Sequence, residues 1–444
     1  MMPDSTRKNF RYSIFVMLLI ITMLNYIDRG AMSYAAEAIT REYGLDRVAW
    51  GKVLGFFGYG YMFGALLGGA LADAWGTRRV WAIAGFAWSF FEGASAFAGD
   101  LGLVVFGGSA LAGFAFIRVI FGFFEGPAYS LINKTTSAWA APLDRGTSVS
   151  VGLLSTPLGA LVTAPISTRL LLLTDSWRVT FLVLAVVSAV AMVIFLRLFT
   201  TSPADNPRVS AAELTLIRGG DADPDAAGAA EHAQAPLSYL SLLRRPTLIF
   251  NTIAYFSLVY VTFMLVTWMP KYLQDQFHFS LSSLAYVGMI PWAGACVTIL
   301  LGGWISDWLL RRTGSLVIAR GIFAASALLM TTTCLLLVSQ VHTAFAVIAL
   351  MTLANAFNSL PNVVYWTVVV DSVPLARVGA MSGTMHFVAS FAAILAPTLT
   401  GYLSVAYGYS SMFLAAAAVT AVAMVAMLLV KPGPDSLAAA RTDR

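Results

Sequence analysis

The chain has 444 residues, 59% of them hydrophobic and only 11% charged, with a net charge of +5 and a mean hydropathy of +0.78. Soluble domains carry about 25% charged residues, so a chain with fewer than half that number cannot cover a water-facing surface, and a soluble protein is excluded. The basic residues lie in short loops between apolar runs rather than along one amphipathic stripe, which sets aside a nucleic-acid binder and leaves membrane topology as their role.

A helix needs about 20 apolar residues to cross a bilayer. Spans are predicted near 11–36, 50–72, 80–99, 102–134, 146–172 and 178–200, and again near 247–270, 284–308, 318–339, 343–370, 378–404 and 408–431. The first run is long enough to span and has charges near its end, unlike a cleaved leader. The break between the two sets is rich in Pro, Ala, Asp and Gly and cannot bury a core, so it reads as a linker with one short surface helix around Ala211–Arg218 and a solvated His232. The expected organisation is an N-terminal six-helix half over 1–200, a cytoplasmic linker over 201–246, a C-terminal half over 247–431 and a cytoplasmic tail over 432–444. Lys and Arg gather on the side of the termini and linker, which predicts both ends inside a bacterial cytoplasmic (inner) membrane. Cys296 and Cys334 both fall in apolar runs and give no disulfide framework.

The chain repeats itself. LGGALAD (67–73) returns as LGGWISD (301–307), PLDRG (142–146) as PLARVG (374–379), and APISTRLL (164–171) as APTLTGYL (396–403), at offsets of 234, 232 and 232. Six spans separate the copies, an even number, so the halves insert in parallel, the arrangement of major facilitator transporters with a site at the midplane between halves. In GALADAWGTRR, Asp73 meets the end of the second span ahead of a Gly76 turn and the Arg78–Arg79 pair, and Asp307 is its counterpart. Such a carboxylate can cap a helix N-terminus or pair with a base across the half, latching the cytoplasmic side. A plain topology-setting loop is the alternative.

Charges also sit inside the apolar runs. MLNYIDRG (23–30) ends the first span with Asp28 and Arg29, and FIRVIFGFFEGPAY in the fourth carries Arg118 and Glu125. A charge at the bilayer centre costs about 2.5–3.5 kcal/mol on insertion scales. Adjacent residues on a helix point apart and make poor partners, so Asp28 and Arg29 each need another neighbour. Arg118 and Glu125, seven residues apart, share one helix face and can supply them. Buried salt bridges that fix packing are the bland reading, yet buried pairs stabilise weakly and apolar replacements usually serve as well. Arginine stays charged, and its planar fork grips a carboxylate by two bonds. A guanidinium that can leave a protein acid for a substrate carboxylate couples proton uptake to anion binding, which is a proton–anion symport site in outline.

Asn355, Asn358, Asn362, Tyr365, Trp366 and Thr367 give the tenth span a polar-aromatic face, either lining a cavity or tying helices together. His386 is either a contact for substrate or protons or a neutral histidine satisfied by a neighbour. A membrane enzyme finds no nucleophile–base or metal-ligand motif among four scattered histidines, and no metal or cofactor is expected. No nucleotide-binding loop occurs. A drug–proton antiporter would share the buried acids, but two buried arginines argue against cationic substrates.

NYIDRG, RVIFGFFEGPAY, WMPKYL (268–273) and AAILAPTLTGYL (392–403) together resemble the anion:cation symporter family of the major facilitator superfamily, over essentially all twelve spans. That family includes bacterial sugar-acid permeases (galactonate, glucarate, hexuronate, tartrate), aromatic-acid permeases, and animal sialic-acid and vesicular glutamate carriers. The resemblance implies an all-α membrane protein of twelve helices that moves a small organic carboxylate with protons, expected to act as a monomer. It implies Asp28 and Glu125 as proton carriers, Arg118 as their charge partner, Arg29 with Tyr26 as substrate contacts, and Tyr61 facing the substrate. The chain departs from the sugar-acid pattern at three places: Ala65 and Thr156 stand where a Gln is usual, and His386 where an Asn is usual. With Thr156, Asn362, Thr367 and His386 as further binding candidates, the departures favour a less hydroxylated acid, since lost amides remove partners for hydroxyls.

Overall fold

The computed structural model describes residues 9–140, 145–218, 244–373 and 375–431. Lipid offers a backbone no hydrogen-bond partners, so a chain this apolar closes its peptide bonds within helices. Among the described residues there are helices and no strands. Eleven helices among the described residues are long and apolar enough to cross a membrane: Phe10–Tyr34, Arg47–Trp75, Ala110–Trp139, Leu153–Thr174, Trp177–Leu198, Pro246–Phe277, Leu281–Thr313, Val317–Val338, Ala344–Ser372, Val378–Ala406 and Ser410–Leu428. The remaining expected span, the third, falls on Thr77–Ser95, a 19-residue helix that carries Arg78, Arg79 and Glu92 and packs against the fourth and sixth spans.

The fourth span starts later than the apolar run suggests. Ala98–Val105 is a separate short helix, Gly107 and Gly108 take φ of 65° and 84°, and Ser109 then caps the new helix by accepting from the Ala112 N–H. The turn between the second and third spans likewise needs Gly76, at φ 81°.

Two spans are interrupted at matching places. The fourth breaks at Gly126–Pro127 and the tenth at Leu360–Pro361, because proline cannot donate to the helical ladder. Pro127 and Pro361 are 234 residues apart, the same offset as the LGG repeat. Glu125 ends the first half-helix of one break, and Asn362 begins the second half-helix of the other. Interrupted helices in corresponding positions of two repeats mark the substrate site of many transporters.

Small residues let the helices around these breaks approach closely. A Cβ on Gly60 or Gly64 of the second span would run into the backbone of Val119 or Phe123 in the fourth, and one on Gly122 would meet Phe57. Phe57 and Tyr61 are thereby pressed onto the helix that holds Arg118 and Glu125.

The first helix meets the linker through the Arg11 N–H donated to Glu213 Oε1 (2.8 Å), and the last ends where Thr247 donates to the Lys431 carbonyl (2.7 Å). The start of the first span thus lies beside the linker helix Ala211–Arg218, and the end of the last span beside the start of the seventh. At the opposite face the two halves are tied together: Arg47 pairs with Asp275 (3.4 Å), and Gln274 donates to Glu37 (3.3 Å).

Candidate functional site

Between the halves lies a cavity of about 50 Å³, lined from the N-terminal half by Tyr26, Tyr61, Tyr129 and Thr156 and from the C-terminal half by Tyr255, Phe263, Trp292, Asn362 and His386, with aliphatic and small hydroxyl side chains between them. Five of the residues picked from sequence (Tyr26, Tyr61, Thr156, Asn362 and His386) meet there. Thr367 does not line it, and its hydroxyl donates to the Val364 carbonyl of its own helix (3.0 Å). The polar face of the tenth span divides: Asn355 and Asn358 donate to the carbonyls of Pro291 (3.0 Å) and Leu258 (3.3 Å), tying helices, while Asn362 faces the cavity.

His386 joins the halves. One ring nitrogen lies 3.1 Å from the Tyr255 hydroxyl and the other 3.5 Å from that of Tyr61, while the ring packs against Tyr129 at 5.3 Å and Trp366 at 6.2 Å. Tyr129 and Thr156 share a hydroxyl–hydroxyl bond of 2.5 Å. Tyr129, though it closes the FIRVIFGFFEGPAY segment, and Tyr255 are not among the residues expected from sequence, because their partners are remote in the chain.

Arg29 stands beside this cavity, 2% exposed. Its guanidinium lies 4.6 Å from the ring of Tyr26, 4.6 Å from Phe57 and 4.8 Å from Tyr61, so it is held by aromatic faces as well as by charge. Its Nη2 donates to Glu125 Oε2 (3.1 Å) and Asn25 Oδ1 (3.2 Å), while Nε and Nη1 have no partner among the described residues. The ion-pair partner of Glu125 is therefore Arg29. Arg118 is buried against Phe57 (5.0 Å) and Phe121 (5.3 Å), with its Nε and Nη1 unpartnered. Asp28 turns away toward the sixth span, where Ser188 donates to its Oδ2 at 2.9 Å, and its Oδ1 is unpartnered.

A third acid belongs to this cluster. Glu92, in the third span, is fully buried, neither of its oxygens has a hydrogen-bond partner among the described residues, and it feels the charges of Asp28, Arg118 and Glu125. The signal that marks Asp28, an acid in the middle of an apolar run, was equally present in SFFEGAS (89–95).

At the terminus face each acid of the internal repeat is engaged inside its own half. Asp73 pairs with Lys134, and Arg78 donates to the Leu196 carbonyl at 2.8 Å, with Arg79 exposed. Asp307 pairs with Arg320 (3.1 Å), which also holds Asp371 (3.2 Å). At the opposite face Glu42 takes both prongs of Arg178 (2.6 and 3.0 Å) and the Trp177 indole N–H (2.8 Å), and the Arg178 guanidinium holds its carboxyl below the usual carboxylate range.

Comparison with known proteins agrees with this architecture. The family model described as Major Facilitator Superfamily matches residues 18–385 and 318–444. The chain is 28% identical over 424 residues to a hexuronate transporter of Bacillus subtilis, covering 94% of each chain. It is also 28% identical to a probable sulfoacetate transporter of Cupriavidus necator, covering 95% of this chain and 94% of that one. Among solved structures, a bacterial homolog of the human lysosomal transporter Spinster superposes with a TM-score of 0.74 at 14% identity, covering 95% of this chain and 97% of the other.

Proposed function

The chain belongs to the Major Facilitator Superfamily, and on that premise we propose that it is a proton-coupled symporter importing a small organic carboxylate, a sugar acid or a related acid, by alternating access. The observation that carries the reading is the Arg29–Glu125 pair at 3.1 Å beside a cavity between the halves. Arg29 has one bond to Glu125 and two unpartnered donors, so a substrate carboxylate can take it in a two-pronged grip. Glu125 then loses its counter-charge in a dry site and must take up a proton. Proton and anion enter together, and neither leaves the other's charge exposed. Arg118, on the same helix face, balances the acids, and Asp28 is the second proton carrier.

A cavity of this size holds a few waters, so loading requires the halves to part. Rocking about the tied face delivers substrate to the other side, and Asp73, Arg78, Arg79 and Asp307 act at the terminus-side gate. The lysine and arginine distribution favours the cytoplasmic side of a bacterial inner membrane for that face and both termini. The protein works as a monomer in the bilayer, without nucleic acid or cofactor and without enzymatic chemistry.

Purified protein screened for thermal stabilisation against a panel of carboxylates and organic cations tests the reading. A hexuronate, hexonate or other small carboxylate should raise Tm, and stabilisation by the cations alone would point to a drug–proton antiporter of the same fold instead. The aromatic lining favours a second reading, an aromatic-acid permease: four tyrosines, Trp292 and Phe263 face the cavity, and by the family resemblance Ala65 and Thr156 stand where sugar-acid permeases carry amides for sugar hydroxyls. Pockets reject analogues mainly through polar groups left unpaired, so a hydroxybenzoate should compete at least as well as a hexonate. Competition by the hexonate alone rejects that reading.

A further inference from the structure

The third span carries a group that the symport reading leaves without a task. Glu92 is fully buried on a helix packed against the fourth and sixth spans. Neither carboxyl oxygen has a hydrogen-bond partner among the described residues. An ionised carboxylate without donors or a close cation is costly in such a place, because burial strips its hydration and returns nothing.

Charge counting states what the cluster must do. The third span packs closely on the sixth, where a Cβ on Gly93 would meet Ala185 (3.2 Å) and one on Gly85 would run into Met192, so Glu92 lies beside the stretch of the sixth span whose Ser188 donates to Asp28 (2.9 Å); the charged groups around it are Asp28 from the first span and Arg118 and Glu125 from the fourth. With Arg29, bonded to Glu125, the buried cluster contains three acids and two guanidiniums. Guanidiniums keep their protons, so neutrality leaves one proton among the three carboxyls. Glu125 is committed to Arg29 at 3.1 Å. Among the described residues Asp28 and Glu92 are left facing Arg118, and two like-charged acids that share a site hold one proton between them.

We propose that Glu92 and Asp28 share a single proton in the substrate-free protein, which makes the third span part of the coupling machinery and Glu92 its third acid. The inference rests on the symport reading for its role in transport, but the shared proton itself does not. The step conserves atoms and charge: one carboxyl O–H breaks, one forms, the proton moves between the two acids, and no electrons are transferred. When substrate takes Arg29, this resident proton lies next to Glu125, which needs one. Removing either acid leaves the other alone opposite Arg118, where it ionises.

Infrared spectra of the purified, ligand-free protein at neutral pH read the proton directly. The protonated-carboxyl stretching band should lose one carboxyl's intensity in Glu92→Gln and the same amount in Asp28→Asn, while Glu92→Asp should shift the band and keep its intensity. A band unaffected by Glu92→Gln, or by Glu92→Asp should the glutamine variant not fold, overturns the proposal and makes Glu92 a permanently ionised counter-charge to Arg118. Uptake of labelled D-glucuronate into proteoliposomes gives the second readout: Glu92→Gln should change its pH profile and Glu92→Asp should restore it, and an identical profile in all three proteins also overturns the proposal. Failure of the unmodified protein to transport or bind any carboxylate would sink the symport reading while leaving the infrared result standing.

Discussion

Arg29→Lys separates charge from shape at the proposed grip. The guanidinium makes two hydrogen bonds with Nη2, to Glu125 and Asn25, and lies within 5 Å of three aromatic rings with two further donors unpartnered. Lysine keeps the positive charge, so the buried acid is not orphaned and the helix still inserts. What it loses is the second prong on the substrate carboxylate. A hydrogen bond to a charged group contributes about 1.5–3 kcal/mol, which is about a 10- to 150-fold rise in KM. The assay is initial-rate uptake of a labelled carboxylate, identified by thermal stabilisation, into proteoliposomes under an inward proton gradient, with thermal unfolding as the check on folding. An unchanged KM in a folded Arg29→Lys protein would refute the reasoning and move the grip to Arg118.

Glu125→Gln should abolish uphill, proton-driven uptake while part of the substrate counterflow survives; loss of both together counts against Glu125 as proton carrier. Asp275 holds Arg47 (3.4 Å), Lys271 (3.2 Å) and the Tyr409 hydroxyl (2.6 Å), so Asp275→Asn weakens the tie between halves by about 1 kcal/mol or less, up to about a fivefold change in population. Spin labels at Arg41 and Ser282 should report a larger fraction of long separations, and an unaltered distance distribution would show that the ion pair is not a latch. For Glu42, whose carboxyl is held low by Arg178, the stabilisation is complete above the unfolded value of about 4.3 and fades as pH falls through the lower folded value. The Tm gap between the unmodified protein and Glu42→Gln should therefore close in acid, and a gap independent of pH would contradict the pairing.

Much of this molecule could be read in one dimension. Apolar runs of bilayer length locate the helices because lipid leaves the backbone no other structure, and the LGG repeat gives the parallel halves. The fourth span's start was misplaced because apolarity continues through Gly107 and Gly108, where only backbone dihedrals end the short helix. Tyr26, Tyr61, Thr156 and His386 follow from the family resemblance and the departures from it, and Asn362 from the polar face of the tenth span; all five converge on one cavity. Pairing was not legible. Spacing places Arg118 and Glu125 on one face, but which arginine reaches Glu125 depends on how the first helix rotates against the fourth, and Arg29 does so. The His386–Tyr255 and Tyr129–Thr156 contacts depend likewise on helix rotation and rotamers that no local pattern encodes.

The central claim is that an organic anion and a proton move together through the Arg29–Glu125 site. Lightly buffered proteoliposomes with a pH dye outside, at zero membrane potential and without an imposed pH gradient, measure this directly when the stabilising carboxylate is added. The account predicts external alkalinisation that follows substrate uptake and disappears in Glu125→Gln. Substrate uptake with no accompanying proton movement would contradict it.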